Sequence, residues 1–321
     1  MINMNAKKTN WLFTSIILIN ILAVLGIALL SQRFEMKLGA IPALLLSQAM
    51  LFVPAILFLL GTRTRMRDLI AVGKPKWITS FLTIAFTFLC MPLIVTVNAF
   101  SMLFVENEVN NLQPLLQGIP WWQLVLMIGI IGPVSEEFVF RGVIYHGYRR
   151  SGRLVAAMLM SAFLFGLMHL NFNQMSYAFL VGIIGVLLME GTGSIFYPML
   201  FHVCINMSNV VQILIQDPTQ MAMDAQQTEQ MIEATMGMPY KQAMCFVVAI
   251  YAIISCVTTA IAACIYYVIL KREGRTQHFL LFFSKKGREN VADGSRKIVT
   301  WPLIVSVVIC LVYMVADVIW L

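Results

Sequence analysis

Apolar runs of about 20 residues, the length a helix needs to cross ~30 Å of hydrocarbon, recur along the whole chain with polar breaks between them. Nine stretches are predicted as spans: 11–30, 41–60, 78–104, 121–145, 154–170, 175–189, 195–215, 243–270 and 300–321. Their apolar positions are continuous rather than alternating, so they read as helices and not as barrel strands. The fifth and sixth are short for a crossing. The first is followed by Ser31-Gln32-Arg33, which offers no small-residue cleavage site, so it is expected to stay as a signal anchor, with the mature protein starting near Met1.

The polar breaks orient the bundle. Of the 22 basic residues, 19 fall on one side: Lys7 and Lys8, then Arg63, Arg65, Arg67, Lys74 and Lys76, then Arg141, Arg149, Arg150 and Arg153, and the eight from Lys271 to Lys297. Only Arg33, Lys37 and Lys241 fall on the other, which predicts a cytoplasmic N-terminus and an outside C-terminus. The fold class expected is all-α, a polytopic transmembrane helix bundle of about nine spans. It divides into three leading helices (1–104), a four-span central block (105–215), and an extracytoplasmic loop with two trailing helices and a basic cytoplasmic loop (216–321).

Composition removes the alternatives. Apolar residues make up 60% of the chain and charged residues 12%, with a mean hydropathy of +0.84; a water-soluble domain of this length does not carry that balance. The net charge of +7 is a topology signal, since no basic run is interleaved with aromatics as nucleic-acid binding would require. Cys90, Cys204, Cys245, Cys256, Cys264 and Cys310 lie inside spans without a CxxC and read as small hydrophobes, not as disulfides or thiolate ligands. In the outer loop 217–242, Met221, Met223, Met231, Met236 and Met238 read as an amphipathic cap rather than a copper site. The stretch 279–283, flanked by Lys271, Arg272, Lys285 and Lys286, reads as an interfacial segment on an anionic leaflet.

Ionisable residues inside the spans cost about 2.5 to 3.5 kcal/mol each on the insertion scale, so those that occur mark a functional site. The fourth span ends Gly132-Pro133-Val134-Ser135-Glu136-Glu137-Phe138-Val139-Phe140-Arg141. Pro133 cannot donate to the Gly129 carbonyl and is expected to bend the helix one turn before the acids. Glu137 and Arg141 are four apart with the acid first, the favourable order for a pair, whereas Glu136 is rotated ~100° away from that partner. Glu137 therefore reads as the orienting residue and Glu136 as the working one.

Two further pairs follow at helical spacing. Phe165-Gly166-Leu167-Met168-His169 puts an aromatic and an imidazole on one face of the fifth span, and His202-Val203-Cys204-Ile205-Asn206 does the same with an imidazole and a carboxamide on the seventh. Asn206 also opens an Asn-Met-Ser sequon, a coincidence at membrane depth. His146 and His278 are cytoplasmic and read as ordinary. At 1.5 Å per residue, Glu136 stands roughly 14 Å from the inner face and His169 roughly 22 Å. The two meet only if the helices tilt, bend at Pro133, or begin elsewhere.

Glu-Glu-x-x-x-Arg, Phe-x-x-x-His and His-x-x-x-Asn, in this order on successive helices, resemble the signature of the type II CAAX prenyl endopeptidases and the related bacteriocin-processing and immunity proteins, the CPBP or Abi family. The resemblance covers Trp121 to Ile215 in the central block, roughly a third of the chain. It implies an intramembrane endopeptidase whose catalytic core is that block, with Glu136 and His169 activating a water, His202 and Asn206 stabilising the oxyanion, and Glu137, Arg141 and Phe165 in support. No cofactor is favoured; zinc held by Glu136, His169 and His202 is the alternative, without a His-Glu-x-x-His helix to support it. The partners implied are the lipid bilayer and a membrane-embedded peptide or protein substrate, in a bacterial cytoplasmic membrane, with no nucleic acid. The rival readings are a catalytically silent scaffold, regulator or peptide-immunity protein on the same fold, and a proton-coupled transporter, which the lack of an inverted repeat disfavours.

Overall fold

The computed structural model describes residues 4–34, 38–65, 73–107, 115–116, 118–216, 223, 225–284 and 297–320. The expectations that rest on Lys37, Arg67, Met221, Lys285 and Lys286 lie outside the described residues. Among the described residues there are eleven helices and no strand. In chain order they are α1 (Ala6–Phe34), α2 (Ala40–Gly61), α3 (Trp77–Ser101), α4 (Trp121–Arg149), α5 (Leu154–Leu167) and α6 (Phe172–Thr192). They continue with α7 (Phe196–Ile215), α8 (Ala225–Met236), α9 (Tyr240–Arg272), α10 (Thr276–Phe283) and α11 (Trp301–Trp320).

Eight of these are long and apolar enough to cross a bilayer, and α5, at 14 residues, is a shorter apolar helix among them. The chain is an integral membrane protein whose outer faces carry Leu22, Leu60, Phe81, Ile253 and Ile319, each more than 60% exposed in the isolated bundle and suited to face lipid. Two of the spans whose boundaries differ from the sequence expectation bear on the site. The fifth span stops at Leu167, because Asn171 starts the next helix by accepting from the Gln174 N–H at 2.7 Å and the chain must turn to reach it. The sixth extends from Phe172 to Thr192, 21 residues, and is a full crossing rather than a short one.

Polar contacts at helix ends tie the two ends of the chain together. Trp11 meets Trp301 edge to face at 4.7 Å. Asn10 Nδ2 donates to the Ile298 carbonyl at 2.9 Å and to Thr300 Oγ1 at 2.8 Å, and Tyr148 OH donates to Asn10 Oδ1. α3 and α9 pack along their lengths, and at their ends Glu273 takes the Lys76 ammonium at 2.8 Å and the Thr79 hydroxyl at 2.6 Å. α5 and α6 approach more closely still: a Cβ added at Gly182 would lie 2.7 Å from Ala162 Cα, so backbone meets backbone there. The expected interfacial segment is α10, with Phe282 buried and Leu280, Leu281 and Phe283 exposed.

Candidate active site

α4 is the element that sets the site, and it is not a uniform α-helix. Val125–Ile131 and Phe138–Tyr145 are π-helical, and the six α-helical residues Gly132–Glu137 lie between them. Pro133 thus marks a change of register where the sequence suggested a bend. The last bond of the first π-segment runs from the Gly132 N–H to the Met127 carbonyl. In that register the next donor, for the Ile128 carbonyl, would be Pro133, which has no N–H. Asn206 on α7 supplies it: its Nδ2 donates to the Ile128 carbonyl at 3.0 Å.

One turn earlier on α7, His202 faces the two glutamates. Its Nδ1 lies 2.9 Å from Glu137 Oε1, and because a carboxylate only accepts, Nδ1 carries the proton and Nε2 is bare in the neutral ring. The same Oε1 meets Arg141 Nη1 at 2.9 Å, the i,i+4 pair expected from spacing, with Glu137 fully buried and Arg141 only 1% exposed. Arg141 is held on its other sides by the Phe165 ring, 4.4 Å from the guanidinium carbon, and by the Val181 carbonyl at 3.2 Å. Glu137 Oε2 and Arg141 Nε, both buried, make no hydrogen bond among the described residues and leave polar atoms inside the bundle for water to meet.

Among the described residues Glu136 forms no ion pair with an arginine. Its side chain keeps 16% of its surface, and its Oε2 stands 3.8 Å from His202 Nε2, too long for a hydrogen bond and a separation that a water can bridge. Phe165 gathers both histidines: its ring packs edge to face against His169 at 5.3 Å and against His202 at 5.7 Å. His169 lies past the end of α5, its Nδ1 donating to the Phe165 carbonyl at 2.9 Å, which again leaves Nε2 bare in the neutral ring. The structure therefore brings Glu136, Glu137, Arg141, Phe165, His169 and His202 together. Asn206 is attached to the same cluster through the Ile128 carbonyl.

Three contributions were not found by sequence reasoning. Gly185 on α6 makes the space for Arg141: a Cβ there would lie 2.8 Å from both Nε and Nη2. Its signal was the Gly182-x-x-Gly185 spacing, read only as part of an apolar run. Tyr177, on the same helix, lies within electrostatic range of Glu136. Glu190, a single carboxylate at the end of an apolar run, collects Tyr145 OH at 2.9 Å, Arg149 Nε at 2.8 Å and His278 Nε2 at 2.6 Å. His278, expected to be ordinary, thus fastens α10 to the bundle. His146, also expected to be ordinary, donates from Nδ1 to the Arg141 carbonyl at 2.8 Å and steadies the π-helical turn that carries the arginine.

The zinc alternative can be tested against donor placement. Among the described residues no three His, Cys, Asp or Glu side chains converge to hold a metal ion. Glu136 and His202 offer two donors near one point, and His169 is not gathered round it as a third.

Comparison with known proteins reaches this same block. Residues 118–208 match the family described as type II CAAX prenyl endopeptidase Rce1-like, and that segment holds every candidate residue from Glu136 to Asn206. A Bacillus subtilis (strain 168) protein named Putative membrane peptidase YdiL is 25% identical over 126 residues, 39% of this chain and 51% of that protein. The match therefore spans about half the length of this relative. No solved structure matches. The resemblance carried by the three ordered motifs is met by the family match over the central block.

Proposed function

We propose that this chain is an intramembrane endopeptidase of the CAAX-peptidase type, hydrolysing a peptide bond of a membrane-associated peptide or protein with water activated by Glu136. The observation that supports it most is the 3.8 Å gap between Glu136 Oε2 and His202 Nε2, flanked by a histidine held in one tautomer by the Glu137–Arg141 pair. A water at that gap donates one hydrogen to the Glu136 carboxylate. As its oxygen attacks the scissile carbonyl carbon, Glu136 takes the proton and later passes it to the leaving amine, so one water is consumed and one acid and one amine are released.

The negative charge that develops on the carbonyl oxygen needs donors placed in advance. Asn206 meets part of this need with a second amide hydrogen besides the one given to Ile128, and His202 adds its Nε2 hydrogen when the ring has taken a second proton from solvent before the water is bound, a charge that Glu137 faces through Nδ1. His169, fixed through Nδ1 and packed on the same Phe165 ring as His202, is the second imidazole assigned to water activation in this reading. Catalysis in this reading runs on protein side chains and water without a metal. The setting proposed is a bacterial cytoplasmic membrane, suggested by the Bacillus subtilis relative, with the N-terminus inside, which rests on the distribution of basic residues.

The test compares membrane peptides from cells that carry the natural chain with those from cells that carry Glu136→Gln. A peptide that accumulates uncut only in the variant, and is cut by the purified natural protein, supports the reading. A folded Glu136→Gln protein that cuts at the natural rate overturns it, and one that supports the cellular phenotype with no cleavage in either strain replaces it with the scaffold reading.

A further inference from the structure

At the opposite end of the bundle from α10, a cavity of about 590 Å³ opens between the end of α3, the start of α6, α8, the start of α9 and the end of α11. Four carboxylates line it, Glu106, Glu229, Glu233 and Asp317, against a single lysine, Lys241. The ion pairs among the described residues include none of the four. Glu233 Oε1 accepts the Tyr240 N–H at 2.8 Å, which satisfies one oxygen without neutralising its charge.

A second feature of the cavity points to a ligand independently of this charge. Asn173, at the first turn of α6, lines the cavity and is only 1% exposed. Its Nδ2 is spent on Asn98 Oδ1 at 2.9 Å and Ser101 Oγ at 2.8 Å, while its Oδ1 accepts no hydrogen bond. The assignment of the amide is fixed by its neighbours, since the Ser101 hydroxyl already donates to the Asn98 carbonyl and can only accept from Asn173. A buried acceptor without a donor is costly unless something brings an N–H or O–H to it. Together, an open acceptor and uncompensated carboxylates select a cationic donor, an ammonium or guanidinium.

The cavity also adjoins the candidate site. Asn171 is part of its lining and donates from Nδ2 to the His169 carbonyl at 3.0 Å, so the cavity wall and His169 share one turn of chain. We infer that this cavity is a specificity subsite that receives one arginine or lysine side chain of the peptide substrate, flanking the bond presented to Glu136. The inference rests on the peptidase reading for the word substrate, and on the cavity itself for the cation.

The test separates the two by measuring binding without turnover. Glu136→Gln protein in mild detergent is titrated with a fluorescent apolar peptide that carries one arginine and with its twin in which neutral citrulline replaces it. The arginine peptide should bind about tenfold more tightly, the scale of a charged pair with direct hydrogen bonds, and the preference should shrink as salt is raised. It should vanish in a Glu106→Gln/Glu229→Gln/Asp317→Asn background, where the changes fall on exposed or half-buried side chains. Equal affinity for the two peptides, or a preference that survives these changes, overturns the subsite. Agmatine, a free guanidinium, should compete only weakly; if it binds as tightly as the arginine peptide, the cavity serves a small cation and not a substrate side chain. A lost preference with cleavage intact sinks the subsite alone, whereas a kept preference in a protein that cleaves nothing sinks the peptidase reading alone.

Discussion

Replacing Glu137 by glutamine removes one charge and almost no volume, and the structure says where the loss is felt. Glu137 Oε1 lies 2.9 Å from both Arg141 Nη1 and His202 Nδ1, with the carboxylate fully buried. A glutamine carbonyl can still accept the His202 Nδ1 hydrogen, so the change is chiefly electrostatic. Two unit charges at that distance attract by about 5 to 6 kcal/mol at an effective dielectric of ~20, and removing one partner of a buried pair costs about 3 to 5 kcal/mol once the relieved desolvation of the lost charge is included. Arg141 would keep the Phe165 face, the Val181 carbonyl and the more weakly felt charge of Glu136, interactions it already has, so nothing new offsets the loss. Against a total stability of about 5 to 15 kcal/mol, such a variant should show a lower folded yield and a lower thermal midpoint in mild detergent. Glu136→Gln should behave oppositely. Its side chain is partly exposed and makes no hydrogen bond among the described residues, so stability should change by less than about 1 kcal/mol, while cleavage falls by roughly 10²- to 10⁴-fold with the base gone. Both are read by thermal unfolding and by cleavage of the peptide that accumulates in Glu136→Gln cells. Equal stability of the two variants would refute the assignment of Glu137 as the counter-ion of a buried arginine.

Asn206→Ala should leave the Ile128 carbonyl unpaired inside the bundle, a cost of about 1 to 3 kcal/mol in thermal stability; natural stability with reduced turnover would instead place its main role at the oxyanion. Gly185→Ala should destabilise by about 1 to 3 kcal/mol, because the added Cβ falls on the Arg141 guanidinium and that group has no free direction to move. Gly26→Ala, which meets open space, should be silent in the same assay. Purified protein should cleave after chelation; a stoichiometric zinc whose removal stops cleavage and whose return restores it would reassign Glu136, His169 and His202 as ligands.

The parts of the fold and site that could be read from sequence are those decided within one helix turn. The Glu137–Arg141 pair, the Phe165–His169 face and the eight long apolar helices follow from spacing and composition alone. What depended on a neighbouring helix was hidden. The 3.8 Å approach of Glu136 to His202, the space that Gly185 leaves for Arg141, and the gathering of Arg149 and His278 on Glu190 each join positions more than 40 residues apart. The π-helical register of α4 was also hidden, because nothing in an apolar run states which carbonyl each N–H will choose; only Pro133, which cannot choose any, left a trace.

The mismatch in depth between Glu136 and His169 has a physical resolution of the same kind. Counting along an uninterrupted span carries His169 too far, since the run through Met168 and Leu170 is as apolar as the helix before it. The helix ends at Leu167, after 14 residues or about 21 Å of rise, and Leu170 then takes a left-handed conformation at φ 56°. That conformation is unusual for a leucine, and it lets the chain reverse directly into Asn171 and the capped start of α6. His169 is therefore delivered by a turn and not by a helix face, with its backbone carbonyl held by Asn171 and its ring held by the Phe165 carbonyl one turn below. A turn can set the imidazole at the level of Phe165, where His202 already lies, at a depth that a straight seventeen-residue span would have overshot. The short fifth helix is thus the feature that lets a turn bring His169 to the Phe165 ring that His202 also meets, inside an otherwise apolar bundle.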